Sequence, residues 1–600
     1  MFYPTLKSQG FSENTITTFG GLDRSPVISE NCFSFTKNTS SSLYPLLSTR
    51  EKRLDLFKTQ EQPKSINTKN GIAVIFGNSL YFNGVKQPLA LDDNDSKQII
   101  SMGSCLYVFP DGVYINTATL DSEGVATETG SLSSHSVLTD STLTIYPYVP
   151  GVEDPIIAEI APAPADRYDG MVWLDTSEFP NRVLKYDGSI KEWEHLEPEH
   201  YRIEAESIFD PFDIGDELII SGLSDDLDGS SVIEEKGDGY ILLKGIVEMY
   251  TVIAPSATLP FSISRYIPKM DFVCEHENRL WGCRYGSDVF GNKVNEIYAS
   301  KLGDPKQWRT FRGLSTDSYA ASCGSEGCFT GIVSHLGYVV FFKENHIHRL
   351  YGTKPSNFKL YDDIYPGIKK GSERSLALLS GTLYYHSPVG ICAYSGNAPA
   401  IVSRALGESI YTNGIGAVSS NKYYVCLHDQ SGRPDLFVFD IFRGLWHRED
   451  SFDCVCMSPI DNDVLAIIKR DGTYVLQSLI PSKLPIICKE IYQNSSEYEN
   501  DLEWTAETGL IGINLPDNKY VSKIRIRLEL ERGASLSVSA EYDSCGVFEH
   551  IGNVHSSQLK SAVLPITPRR CDHFRLRFSG KGGCKIYSLT KRIERSSEVV

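Results

Sequence analysis

His346 and His348 stand two residues apart in the run His346-Ile347-His348. On a strand this spacing turns both imidazoles to one face. Such a pair can share a divalent ion when a third ligand arrives from elsewhere. The same alternation suits two polar positions flanking an Ile347 that points into the core, and this is the role expected of them. Asp271, Glu275 and Glu277, followed by Arg279, bring carboxylates together, and a glycosidase needs two of these at a set separation across a sugar. A chain with 76 acidic residues offers such clusters by chance. Asp210, Asp213, Asp216 and Glu217, and Asp225, Asp226 and Asp228, are acidic enough to suggest calcium. Neither group has the spacing of a calcium-binding loop, and both read as solvated acidic turns. The closest cysteine pairs, Cys323/Cys328 and Cys454/Cys456, lack the second pair that structural zinc needs. Gly324–Gly327 is too short and too acidic to cradle phosphate. Trp446 reads as a core tryptophan, the alternative being an exposed binding platform. No Walker A, HExxH, GxSxG or strand-linked GxGxxG occurs. The expectation is a chain that is not an enzyme, with no catalytic residue, no cofactor and no metal.

Bulk properties agree with a folded, β-rich protein. The 600 residues are 41% hydrophobic and 22% charged, with 32 Tyr and 27 Phe against 6 Met. That balance supports a sizeable core, and the aromatic excess favours strands. The net charge of −18 comes without a basic stripe of the kind that phosphate neutralisation requires. The densest basic runs, Arg50–Arg53 and Lys591–Arg595, are interrupted by Glu. No signal peptide and no membrane-spanning helix is expected, and the fourteen scattered cysteines read as reduced thiols.

The elements that must position these residues are short aromatic and β-branched runs broken by Asp-Gly and Asn-Gly, the signature of tight hairpins. Hairpin-opening strands begin near Leu280, Tyr338, Leu383, Tyr423 and Val464, spaced by 58, 45, 40 and 41 residues. A period of about 40–50 residues predicts propeller blades of four strands each. Ile72–Gly84 and Leu106–Asn116 supply earlier blades. The Pro-rich stretch Tyr146–Asp166 opens an inserted module, with hairpins in Gly170–Tyr201 and Phe209–Ile246. From Lys489 the pattern becomes long strict alternation. In Tyr520–Leu530 it sets Val521, Lys523, Arg525 and Arg527 outward against Ser522, Ile524, Ile526, Leu528 and Leu530 inward, predicting a sandwich. The predicted fold is all-β: a β-propeller with an inserted small β domain and a C-terminal β-sandwich. Its parts are an extended N-terminal arm (1–60), first propeller strands (61–149), the insertion (150–253), the remaining blades (254–488) and the sandwich (489–600).

Four stretches carry a resemblance. Phe19–Arg53 runs from Gly-Gly-Leu through a Ser/Thr-rich segment to a Leu-Leu-Ser-Thr-Arg end with Lys52-Arg53, although Leu54 follows where the pattern has Pro-Gly. Gly170–Trp193 (GMVWLDTS…LKYDGSIKEW) is similar to a small module of phage tail and fibre proteins. Asn295–Phe311 (NEIYASKLGDPKQWRTF) and Asp440–Glu449 (DIFRGLWHRE) are similar to blade motifs of phage propellers. Together they resemble bacteriophage tail-nozzle and tail-stabilisation proteins of the tail tubular protein B kind. The resemblance implies a virion component assembled in the host cytoplasm, a ring of copies of itself, usually six-fold. It also implies contact with adaptor or portal-side proteins above and distal tail or fibre proteins below. Genomic DNA would pass without sequence-specific binding, and the chain would not insert into a membrane. Carboxylates lining such a lumen would repel phosphates and let DNA slide. Phe19–Arg53, with spaced apolar anchors and little capacity for its own core, would be the arm that orders on a partner. Two other functions compete: binding of a host-surface glycan, and a propeller glycoside hydrolase or lyase.

Overall fold

The computed structural model describes all residues except 1–10, 95, 160–165, 225, 289–290, 452, 515–517, 556–557, 568 and 596–600. Seven blades of four antiparallel strands form a closed propeller among the described residues. Their innermost strands are Pro63–Asn67, Gln98–Met102, Phe272–His276, Phe329–His335, Ala377–Leu379, Thr412–Ser419 and Asp453–Ile460. The runs at Leu280, Tyr338, Leu383, Tyr423 and Val464 each lie in the second strand of blades three to seven. Ala73–Phe76 and Cys105–Phe109 hold that place in blades one and two.

These second strands read as unbroken apolar runs because both their faces are buried. Tyr338, Val340 and Phe342 pack towards Leu383 and Tyr385 of blade five, whereas Val339 and Phe341 pack towards Trp281 and Cys283 of blade three. The same division puts Tyr423 and Val425 against blade five, and Tyr424 and Cys426 against blade seven. Every blade is thus sealed to both neighbours. The ring closes where Leu465 and Ile467 of blade seven meet Val74 and Phe76 of blade one.

Closure uses the chain's beginning. The outer strand of blade seven is Leu54–Thr59, paired antiparallel with Thr473–Ser478. Phe11–Thr59 is therefore not a free-standing arm, and the expectation that it orders on a partner is corrected. Phe11–Ile16 pairs with Cys584–Arg595 and Phe33–Lys37 with Glu503–Thr508, so both join the C-terminal sandwich. Phe19, Phe33 and Leu47 complete the sandwich core with Ile524, Ile526, Leu528, Leu576 and Phe578. Of the spaced anchors, Leu22, Phe33 and Leu47 are buried within the chain, while Val27, Leu43 and Tyr44 stay exposed.

Two boundaries move. The insertion runs from His135 to Arg265, wider than Pro150–Ile253, because its stem is the antiparallel pairing of His135–Leu138 with Phe261–Arg265. Leu143–Tyr148 likewise pairs with His200–Glu204 inside the insertion rather than with a blade. An eight-stranded sheet bends at the bulge between Ile233 and Glu235 around Phe209, Phe212, Leu218 and Phe261. A smaller sheet, Ile156–Ala158 with Val172–Asp175, Arg182–Asp187 and Glu192–Leu196, stands on it. The sandwich begins at Glu503 rather than Lys489. The helix Ile486–Ile491 packs on the seam between blades seven and one, and Glu497–Tyr498 extends blade seven.

Candidate functional site

The innermost strands surround an axial channel. Its wider part, a cavity of about 1450 Å³, is bordered by Gln98, Phe272, Val273, Ile332, Leu376 and Ile415. A narrower part of about 460 Å³ continues past Ser65, Ile99, Gly416 and Met457. Arg374 lies on both and crosses between them. Its guanidinium donates to the carbonyls of Lys64 at 2.8 Å and Val455 at 2.9 Å, joining blade five to blades one and seven. Of the carboxylates on the wider cavity, Asp111 is neutralised by Lys97 at 2.6 Å, both side chains being fully or almost fully buried. Asp271 accepts from the Tyr285 amide at 2.8 Å. Partial desolvation raises its carboxyl above the ordinary range, opposed by that hydrogen bond and by Arg284. Glu373 accepts from the Gly371 amide at 2.8 Å.

The acidic clusters singled out in the sequence come apart here. Asp271 faces the channel. Glu275 caps the hairpin turn, accepting from the Asn278 amide at 3.1 Å, and Glu277 occupies that turn with φ 49°. Arg279 is buried and donates to the carbonyls of Ser300, Asp317 and Ser315, and burial lowers its pKa. Asp216 holds the buried Arg265 at 2.6 Å, and Glu217 takes Arg309 at 3.0 Å. The Glu217–Arg309 pair fastens the insertion to blade three, together with Thr310 donating to Gly215 O, whereas the Asp216–Arg265 pair is internal to the insertion. Asp213 contributes its amide to Asp216 at 2.9 Å. Asp228 accepts from the amides of Gly222 and Leu223, a turn and not a cation cage. Asp225 lies outside the described residues.

A second assembly of functional residues was legible only as two separate motifs. Phe19–Arg53 meets Asp440–Glu449 of blade six at several points along its length. The Leu22 amide donates to Trp446 O at 2.6 Å, and Ser41 Oγ to Asp440 Oδ2 at 2.6 Å. Arg443 lies over the Tyr44 ring, and Thr39 meets His447 Nδ1 at 3.2 Å. Burial holds His447 neutral, its pKa down to about 3. Trp446 is 1% exposed, stacks on Phe439 and donates to Val402 O at 2.8 Å, the core role expected of it. At the end of the seam Arg53 binds Glu449 at 2.7 Å and Asp450 at 2.8 Å. Arg50 binds Glu499 at 2.8 Å. Arg50 and Arg53 of this basic run therefore form a buried ion-pair node. Its arginines hold the Asp450 and Glu499 carboxyls below their ordinary range against desolvation, and the acids raise Arg53.

His348 is 1% exposed, so the His346/His348 pair is not simply a polar face. Ile347 points into the core between blades four and five. Trp173 is buried and meets the half-buried Trp193 edge-on at 5.4 Å. Cys323, Cys454 and Cys456 are buried and Cys328 exposed, all as free thiols.

No family model and no curated protein matches this chain. Solved structures similar to it include an exo-β-1,3-galactanase from Phanerochaete chrysosporium, 9% identical over 53% of this chain and 95% of that one, TM-score 0.21. The phage phi92 endosialidase is 10% identical over 74% and 72%, TM-score 0.26. A putative 6-phosphogluconolactonase from Bacteroides uniformis is 11% identical over 56% and 94%, TM-score 0.22. The galactanase and the endosialidase are enzymes, and the expectation that this chain is not one is withdrawn on that finding. At these identities the likeness is one of fold, and it carries no residue, substrate or activity across.

Proposed function

We propose that this chain is a component of a bacteriophage tail, a ring-forming nozzle that extends the channel for DNA passage. The observation that carries the reading is the seam. Two stretches resembling tail-nozzle proteins, far apart in sequence, meet as one folded feature in which Gly21 and Leu22 lie on Trp446. The resemblance thus concerns a structural unit, not two unrelated strings. Exposed apolar surface on the insertion supports the ring. Phe179 and Ile246 are 70% and 74% exposed. Their loops are tied by the Asn181 amide donating to Glu248 O and the Tyr250 amide donating to Asn181 Oδ1, each 2.7 Å. Contiguous apolar surface left in water marks interaction sites. Sedimentation of the purified chain tests this. The wild type is expected as a multiple of the 66.8 kDa chain, with Phe179→Glu and Ile246→Glu shifting it towards the monomer. A monomer at all concentrations contradicts the proposal.

A second reading, glycan binding or cleavage in the axial cavity, is favoured by Asp271, a carboxyl raised in pKa beside a cavity of about 1450 Å³. Binding on an immobilised glycan panel that is lost in Asp271→Asn supports it, and no binding by the wild type removes it.

A further inference from the structure

The outer half of blade four brings His346, His348 and Asp362 together. One ligand atom from each lies within 4.8 Å of the other two. Asp362 sits on the last strand of the blade, Lys359–Asp363, directly opposite His348 in the antiparallel register. Asp362 Oδ1 is 2.9 Å from His346 Nδ1 and 3.5 Å from His348 Nδ1. Ligand atoms at the ordinary zinc distances, about 2.0–2.1 Å, sit roughly 3.3 Å apart on a tetrahedron. The two separations bracket that value.

The surroundings of His348 are those of a metal ligand. Its Nε2 meets Ser325 Oγ at 2.7 Å, while its Nδ1 is buried and makes no hydrogen bond. Leaving a buried polar atom unpaired costs about 1–3 kcal/mol. A hydrogen bond from the far ring nitrogen is also what fixes a ligating histidine's tautomer and aims its lone pair. Ser325 is itself held, since its carbonyl accepts from Lys343 Nζ at 2.8 Å. Lys343 is the cation facing the site, and Asn295 Oδ1 takes another of its protons at 2.9 Å. Arg349 is engaged by Asp363 at 2.7 Å.

We infer that His346, His348 and Asp362 form a binding site for a divalent transition-metal ion of the zinc type. The ion staples the third and fourth strands of blade four and replaces the proton that His346 shares with Asp362. Two imidazoles and one carboxylate suit zinc better than calcium or magnesium, which prefer oxygen alone. The fourth position opens to water, because His346 and Asp362 are partly exposed.

The test is titration of Zn²⁺, and of Co²⁺ as a spectroscopic probe, into the tag-free full chain after chelation. One equivalent is expected to bind per chain, with a tetrahedral Co²⁺ absorption band and a raised melting temperature. His346→Ala and Asp362→Asn are expected to weaken binding at least tenfold and abolish the band. Both positions are partly exposed, so the variants fold, which circular dichroism checks. His195→Ala, at an exposed His–Glu pair elsewhere, is expected to leave binding unchanged. No stoichiometric binding by the wild type overturns the inference. So does binding that persists in both His346→Ala and Asp362→Asn.

Discussion

Gly21 has no room for a methyl group, since a Cβ there would meet Trp446 O at 2.3 Å. The Gly-Gly of the seam is a packing requirement, set at Gly21 by the Trp446 backbone and at Gly20 by Cys32 Sγ, which a Cβ would meet at 2.4 Å. Gly21→Ala is therefore expected to destabilise the chain by about 1–3 kcal/mol. Gly324→Ala, where a Cβ meets nothing within 4 Å, is expected to stay within about 0.5 kcal/mol of wild type in chemical unfolding. The ion-pair node makes a second prediction. Asp450 and Glu499 titrate lower in the fold than in the unfolded chain. Their contribution is complete above the ordinary carboxylate range and is lost as pH falls through the folded values. Stability should fall on acidification below about pH 4, and Glu499→Gln should lower stability at neutral pH while flattening that slope. An unchanged slope in Glu499→Gln would separate the node from acid sensitivity. At this scale the sequence showed residue types but not partners. Arg50 and Arg53 showed no partner in the sequence because Glu499 and Glu449 lie roughly 400 or more residues away.

The strand Leu54–Thr59 joins the two ends of the propeller, and Leu56 is fully buried between blades seven and one. Leu56→Ala is expected to cost about 2–5 kcal/mol. Truncating the first 60 residues removes this strand and the sandwich strands before it, and should abolish cooperative unfolding. A truncated chain that melts like the intact one would contradict the closure described here. The insertion behaves differently because its ends adjoin, His135 opposite Ser264. Replacing residues 135–264 by a short Gly/Ser bridge should leave a soluble, cooperatively melting propeller. Aggregation of that deletion alone would count against separability. Blades were readable as elements because strands buried on both faces become continuous aromatic runs. The N-terminal strands were not, since an element that closes a distant sheet has the same composition as one awaiting a partner. In the long sandwich strand the expected alternation holds from Lys523 onward, but a bulge between Val521 and Lys523 exchanges the two positions before it, burying Val521 and leaving Ser522 half-buried.

At the scale of the molecule, buried polar ties join the parts: Arg265 of the insertion donates to Leu132 O of blade two at 2.9 Å, and Arg53 pairs with Glu449 of blade six. The all-β class and the three-part plan were legible because each part has its own strand length and turn spacing. Where the insertion begins was not, since His135–Tyr148 has blade-like strands whose partners lie beyond residue 199. In the proposed ring, the net charge of −18 would let a polyanion slide through the passage. Symmetry-averaged electron microscopy of the purified protein tests the ring. Closed rings of identical subunits around an open, acid-lined passage, with the insertion or the sandwich at the subunit contacts, are expected. A field of single 66.8 kDa particles, with no ring at any concentration, would contradict it.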